Sequence, residues 1–338
     1  MAFRVTLNDT DTQFEVNPGE PLLDAAERAG LALVHDCRFG GCGTCRIKVN
    51  QGSVDYEEQP FGLTEEEAGQ GYALACQARA CSDLHINARL RPAGFIQPDY
   101  HEATIVQMDA LCHDVTHLVL RIPTATDVAF HPGQYLNVIL EDGTPRSFSM
   151  ASPPRGDLYD LHIRRVPGGR FTERLYGHYQ VGDTLDVELP LGEFRLQDDS
   201  LDNRLLMVAG GTGLAPIKSI IESLDELENP PEVLLYWGVR KERDLYLHDD
   251  IRSWLEQRSH LTYVPVLSDA DDDWSGRRGY VHEAICEDHT DLSGFDAYLC
   301  GPPPMIFSAR DAFSRLGMDG DRIYSDSFNF THELAEAE

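Results

Sequence analysis

His35-Asp36-Cys37-Arg38-Phe39-Gly40-Gly41-Cys42-Gly43-Thr44-Cys45-Arg46 sets three cysteines in close succession, and a fourth, Cys76, follows at a distance. The other four cysteines of the eight in the chain, Cys81, Cys112, Cys286 and Cys300, are scattered. Thiols spaced Cys-x4-Cys-x2-Cys with a separate fourth have the ligand spacing of a [2Fe–2S] cluster. A loop wrapped round an anionic cluster needs small residues and backbone N–H groups turned toward sulfur, which Gly40, Gly41 and Gly43 permit. Zinc sites usually pair two close cysteine units, and here the fourth cysteine stands alone. Arg38 and Arg46 either bring positive charge to the sulfurs or are simply solvated, and Cys81 rivals Cys76 as the fourth ligand.

Around that loop the pattern is that of a small β-rich unit. Phe3, Val5, Leu7, Phe14 and Val16 alternate on either side of a polar turn, as in a β-hairpin. Pro21 opens a short helix with Leu22, Leu23, Ala25 and Ala26, and Gly30 ends it. Arg46–Val49 reads as a strand, Thr64-Glu65-Glu66-Glu67 as a capping box, and His85–Leu90 as a closing strand. Arg91-Pro92-Ala93-Gly94-Phe95-Ile96-Gln97-Pro98 has the composition of a linker.

Short alternating strands then recur at Ala103–Val106, His117–Ile122, Tyr135–Leu140, Leu161–Arg165 and Thr184–Leu189, which predicts an antiparallel barrel. From Asn203 the runs Leu205–Ala209, Val233–Tyr236, Leu261–Val266 and Ala297–Leu299 are continuously apolar and separated by helical stretches. Strands buried on both faces and alternating with helices indicate a parallel α/β sheet. Leu205–Ala209 runs into Gly210-Gly211-Thr212-Gly213-Leu214-Ala215-Pro216 and a helix, a phosphate cradle in which Pro216 suits the first helical turn. Gly168-Gly169-Arg170-Phe171-Thr172 is a second glycine turn before a helix, and Arg146 can add a two-pronged contact to the same phosphates.

Leu74-Ala75-Cys76-Gln77 resembles the closing motif of plant-type ferredoxins, which implies Cys37, Cys42, Cys45 and Cys76 as the cluster ligands and leaves Cys81 a small buried residue. Pro132-Gly133-Gln134-Tyr135 and Pro145-Arg146-Ser147-Phe148-Ser149 resemble the ferredoxin–NADP reductase superfamily. The resemblance implies a flavin with the Ser149 hydroxyl at N5 and Phe148 packed on it. Tyr135, Arg146, Ser147, Gly169, Phe171 and Thr172 complete the implied FAD contacts, with FAD favoured over FMN by domain order. Gly210, Gly211, Thr212, Gly213 and Pro216 fall on the same superfamily's nicotinamide turn. Cys300-Gly301-Pro302-Pro303-Pro304-Met305 falls on the loop beside the nicotinamide, with Cys300 facing hydride transfer and Gly301, Pro302 and Met305 as contacts. Asp326 stands where the superfamily commonly has Glu, and Phe328 or Phe330 stands where plant-type members end in Tyr. Ser149, Cys300 and Asp326 are the implied catalytic positions, acting by placement and charge.

After the apolar run at 261–266 stands Ser268-Asp269-Ala270-Asp271-Asp272-Asp273. Carboxylates there repel a 2′-phosphate and Asp269 can hold a ribose hydroxyl, so NADH is the expected substrate. The resemblance covers the whole chain. It implies a plant-type ferredoxin (β-grasp) at 1–92, a linker at 93–100, an antiparallel six-stranded FAD-binding β-barrel at 101–202 and a parallel-sheet α/β NAD-binding domain at 203–338. Chains of this order resemble the electron-transfer reductases of ring-hydroxylating dioxygenases, the benzoate-type group above all, which implies a terminal oxygenase as partner. A phenol- or methane-type monooxygenase is the alternative acceptor, and a redox sensor without turnover is the alternative of another class.

The chain has 338 residues, 42% of them hydrophobic and 25% charged, which is ordinary globular usage. Lys+Arg 28 against Asp+Glu 57 gives a net charge of −29, which disfavours nucleic-acid and anionic-membrane partners. The longest apolar stretch, from Leu205 to Ile217, is broken by glycines and falls short of the about 20 residues of a bilayer span. The N-terminus has no apolar signal core, so a cytoplasmic protein is expected.

Overall fold

Alternation at Phe3–Leu7 (β1) and Thr12–Val16 (β2) puts Val5, Leu7, Phe14 and Val16 on one face, and the strands pair antiparallel with Val5 opposite Phe14. The computed structural model describes residues 2–8, 10, 12–91, 98–125 and 130–328. Most of the expected linker, and Phe330, lie outside them. Helix α1 (Leu22–Arg28) buries its two leucines and two alanines against this sheet. The unit continues through β3 (Arg46–Gln51), β4 (Val54–Asp55), α2 (Glu65–Gly69), β5 (Tyr72–Leu74), β6 (Arg79–Ala80) and β7 (Leu84–Asn87). Its main sheet has the order β2-β1-β7-β3-β5, with β1 and β7 parallel, which is the β-grasp arrangement. The capping box forms at Thr64 and Glu67 as expected. The closing strand stops at Asn87 rather than Leu90, because Leu90 leaves the sheet to bridge Leu33. Cys81 is exposed, not buried: it follows the two-stranded ribbon β4–β6, where its N–H bonds to the Ser53 carbonyl and its side chain faces water.

The second unit holds β8 (Asp99–Ala110), β9 (Val115–Arg121), β10 (Tyr135–Ile139), β11 (Pro145–Ser149), β12 (Leu158–Arg164), α3 (Arg170–Gly177) and β13 (Thr184–Leu191). Six strands run in the order β11-β10-β13-β8-β9-β12, each antiparallel to its neighbour. Met150 and Leu161 form a bridge between the two edges, so the sheet curls into a barrel. Ile105, Leu120, Val138, Ile163 and Val187 fill its interior.

The third unit comprises β14 (Arg204–Gly210), α4 (Leu214–Ser223), β15 (Val233–Val239), α5 (His248–Leu255), β16 (Leu261–Leu267), β17 (Arg277–Arg278), α6 (Val281–Asp288), β18 (Phe295–Gly301), α7 (Pro303–Arg315) and β19 (Ile323–Ser327). The sheet order is β17-β16-β15-β14-β18-β19, parallel throughout. Along β14, Leu205, Met207 and Ala209 enter one core while Leu206 and Val208 enter the other. Both faces are covered, which is why the run reads as continuous rather than alternating. The strand order reverses between β14 and β18, and a ligand crevice opens at such a point beyond the carboxyl ends of the strands. No helix among the described residues is long and apolar enough to cross a membrane.

Candidate functional site

The cysteine loop is shaped by its backbone. Arg38, Gly40 and Gly43 have φ of 60°, 79° and 77°, turning successive peptide planes inward. The Cys42 N–H points at Cys37 Sγ (3.3 Å) and the Thr44 N–H at Cys42 Sγ (3.4 Å). A Cβ on Gly40, whose φ is already left-handed, would lie 2.8 Å from the Pro60 ring, so the loop closes this tightly only with glycine there. Cys42, Cys45 and Cys76 are buried and Cys37 half-buried; the thiols of Cys37 and Cys42 are in contact, as are those of Cys45 and Cys76. Four converging sulfurs with N–H groups aimed at them fit an anionic iron–sulfur cluster. The two arginines do not bring free charge to it. Arg38 turns back to Asp24 (2.6 Å) and Glu27 (2.7 Å), and Arg46 is bound by Glu67 (2.6 Å).

A cavity of about 660 Å3 lies between this loop and the barrel. Tyr135 of β10, Arg146, Ser147, Phe148 and Ser149 of β11, and Gly169, Phe171 and Thr172 of the glycine turn all line it. The β10–β11 register sets Tyr135 opposite Ser149. Thr172 holds the turn from behind: its hydroxyl bonds both the N–H and the carbonyl of Val166, at 3.1 Å each. The cavity's other walls are Asp36, Cys37 and Cys42 of the cysteine loop and Asp326, Ser327 and Phe328 beyond and within β19. A Cβ on Gly192 would press on the Tyr135 ring at 2.8 Å, so that glycine leaves the aromatic ring its place. A partly aromatic cleft with a glycine turn at a helix start fits a flavin dinucleotide.

A second cavity of about 530 Å3 sits at the sheet's switch point and is lined by Gly210, Gly211, Thr212, Pro302, Met305 and Phe328. Arg164, Thr212 and Phe328 line both cavities and form their common wall. Five expected contacts line neither. Gly213 is a packing glycine whose Cβ would strike the Cys300 carbonyl at 2.1 Å, and Gly301 has Gly210 Cα 3.0 Å from its own Cβ position. Pro216 is buried inside α4, and Asp269 faces Arg240 (3.9 Å) and Lys241 (3.7 Å). Cys300 is fully buried behind Asp326, with its Sγ 3.9 Å from the carboxylate.

Electrostatics distinguish these groups. Burial pushes the Asp326 carboxyl up to about 6 against the lowering contact with Cys300. Burial, and then the Asp326 charge, pushes the Cys300 thiol well up, so it stays protonated. Asp36 is also driven well above the carboxylate range, by burial and then by Cys42 and Asp326. Sequence reading missed two residues here. His162 and Arg164, two apart on β12, both reach the first cavity. Burial brings His162 down to about 3, leaving a neutral ring beside the Tyr246 hydroxyl at 3.2 Å, while Arg164 is anchored on Asp114 at 2.8 Å. Their period-two spacing was the available signal, but no flanking motif marked it.

Residues 5–81 match the family described as 2Fe-2S iron-sulfur cluster binding domain, residues 102–196 the oxidoreductase FAD-binding domain, and residues 207–311 the oxidoreductase NAD-binding domain. The xylene/toluene monooxygenase electron transfer component of Pseudomonas putida is 35% identical over 330 residues, covering 96% of this chain and 93% of the relative. The reductase component 2 of terephthalate 1,2-dioxygenase from Comamonas sp is 33% identical over 335 residues, covering 97% and 98%. The crystal structure of the Amycolatopsis cytochrome P450 reductase matches with a TM-score of 0.69 at 33% identity, covering 96% of this chain and 98% of that one.

Proposed function

We propose that this chain, which belongs to the family of reductase components with [2Fe–2S], FAD-binding and NAD-binding domains that serve oxygenase systems, takes electrons from NADH and delivers them to a terminal oxygenase of the aromatic-ring-hydroxylating, benzoate type. The observation that carries this reading is the order of the cavities. The nicotinamide-side cavity shares a wall with the flavin-side cavity, and Cys37 and Cys42 line the flavin-side cavity in turn. A bound flavin accepts a hydride as an electron pair and releases single electrons to a one-electron centre.

The chain's own residues then bind, orient and exclude water. The N–H groups at the Gly169 and Gly211 turns, with Arg146 and Arg164, supply positive partners for phosphates. Ser149 is buried in the cavity lining, and neutral His162 adds a polar wall without charge. Asp326 holds a carboxylate above about pH 6 beside the common wall. There it stabilises the positive charge that grows on a nicotinamide as its hydride leaves. The buried Cys300 thiol holds that carboxylate in place and is a positioning residue rather than a nucleophile.

NADH is favoured over NADPH because Asp269 and Asp271 occupy the basic groups nearby, Lys241 lying 3.2 Å from Asp271. The ratio of kcat/KM for the two nucleotides tests this, and a preference for NADPH would overturn it. The ring-hydroxylating acceptor is supported by the cysteine-loop run from His35 to Arg46 and by the terephthalate relative. A monooxygenase acceptor is favoured by the xylene/toluene relative. NADH-driven turnover reconstituted with each oxygenase type separates the two. Dihydroxylation of benzoate supports the first, and coupling only to a phenol-type hydroxylase supports the second.

A further inference from the structure

The contact between the ferredoxin domain and the NAD-binding domain is built around one buried carboxylate. Glu67 of α2 accepts from Arg46 at 2.6 Å and from Arg310 of α7 at 2.5 Å on the same oxygen. Its other oxygen accepts the Thr64 N–H at 3.0 Å. All three charged side chains are less than a tenth exposed. Arg46 reaches on to the Gly320 carbonyl and to Asp321 at 2.9 Å, tying the first strand after the cysteine loop to the turn before β19.

This network abuts the cysteine loop. Arg310 lies 3.4 Å from the Ser325 hydroxyl, which donates to the Cys42 carbonyl at 2.8 Å. The next residue, Asp326, lines the flavin-side cavity, so β19 touches the loop with one side chain and the cavity with its neighbour. A Cβ on Gly43 would sit 2.9 Å from the Arg310 guanidinium. Two guanidinium groups share one buried carboxylate, and while Arg46 also has the exposed Asp321, Arg310 has among the described residues only its share of Glu67, so a further anion beside Arg310 is favourable. The sulfur ligands are the negative groups on that side, and Cys42 is among the charges that act on Arg310.

We propose that Arg310, Glu67, Arg46 and Ser325 form a buried interdomain latch that seats the cysteine loop at the wall of the flavin-side cavity, so that the cluster receives electrons in a docked position rather than as a mobile carrier. The proposal rests on the electron-transfer reading above and adds positioning residues to it. A cation beside the loop also favours the more negative, reduced state of a cluster, so its removal lowers the reduction potential.

The test uses the full-length holoprotein and the variants Arg310→Ala, Arg310→Lys, Glu67→Gln and Ser325→Ala. After rapid anaerobic mixing with NADH, flavin bleaching keeps its rate in every variant, while cluster reduction slows at least tenfold in Arg310→Ala and less in Ser325→Ala. Redox titration finds the Arg310→Ala cluster shifted to more negative potential and Arg310→Lys close to the unmodified protein. Small-angle X-ray scattering finds a larger radius of gyration for Arg310→Ala and Glu67→Gln. Unchanged cluster kinetics, potential and scattering in these variants overturn the latch. If Arg310→Ala does not fold, Glu67→Gln and Ser325→Ala carry the same comparison, and unchanged values in both overturn it equally. Failure of NADH to bleach the unmodified protein sinks the electron-transfer reading instead, and the scattering comparison still decides the latch.

Discussion

The NAD-binding domain meets its two neighbours through seams of opposite character. Toward the barrel the contact is largely apolar: Val115 and Phe194 are part of the same buried cluster as Leu214, Ile217 and Trp237, and Phe194 meets the Tyr298 ring edge-on at 6.0 Å. Toward the ferredoxin domain the buried groups are Glu67, Arg46 and Arg310. The packing of Val115 and Phe194 gains its stability from area removed from water and is indifferent to protonation, while the ion pair of half-exposed Arg155 with Glu222 crosses the same seam beside it. The ionic seam depends on each partner staying charged, since a lone buried charge costs more than a paired one. The flavin-side cavity sits where the seams converge, so its nicotinamide wall is fixed by packing and its cluster wall by charge.

Removing the shared carboxylate should do the most damage. Glu67→Ala leaves two buried guanidiniums facing each other and is expected to cost about 3–5 kcal/mol in denaturant unfolding of the holoprotein. A cost below about 1 kcal/mol would mean that water or Asp321 takes over the role. Acid is the milder version of the same change. Burial raises the Glu67 carboxyl, but Arg310, the Thr64 N–H and Arg46 outweigh it and hold it at about 2. A carboxyl depressed below its unfolded value near 4.3 stabilises fully above that pH, and the gain is lost as pH falls toward 2. The ionic seam should therefore lose about 3 kcal/mol across that window, and a Glu67→Gln protein should lack this part of the acid dependence in unfolding measured pH by pH.

The apolar seam sets the contrast. Val115→Ala removes two buried methyl groups, worth about 1.6 kcal/mol, and the loss should be the same at pH 4 and pH 8. A pH-dependent loss would contradict the division drawn between the seams. The smallest effect is expected at Asp326, where the two seams meet. With its carboxyl at about 6, flavin bleaching by NADH should quicken as pH rises through 6, and Asp326→Asn should flatten that step and slow the reaction on the order of tenfold above it. A step that survives in Asp326→Asn assigns it to another group.

Local chemistry is what the sequence made legible. The cysteine loop, the Gly210–Gly213 turn and the continuous apolar runs each declare themselves within a dozen residues, because thiol spacing, positive φ and two-sided burial are short-range constraints. The rest depended on partners far along the chain. Thr64-x-x-Glu67 reads correctly as a helix start, yet the same carboxylate also meets Arg310, 243 residues away, and nothing in a capping box announces that. His162 and Arg164 are ordinary polar residues of a strand until the barrel curls them toward the cavity. Asp269 has the right position after β16 for a ribose contact, but Arg240 and Lys241 on the neighbouring strand's turn claim it. Cys81 was expected inside because cysteines usually are; the short ribbon before it ends at the surface.

The central claim is that one polypeptide turns an electron pair into single electrons, and an anaerobic NADH titration followed by visible absorbance, with iron and flavin analysis, tests it most directly. One flavin and one [2Fe–2S] cluster per chain together take up three electrons, so both absorptions should bleach together by about 1.5 NADH per chain. Bleaching that stops at about one NADH with the cluster absorption intact, or no bleaching at all, would contradict it.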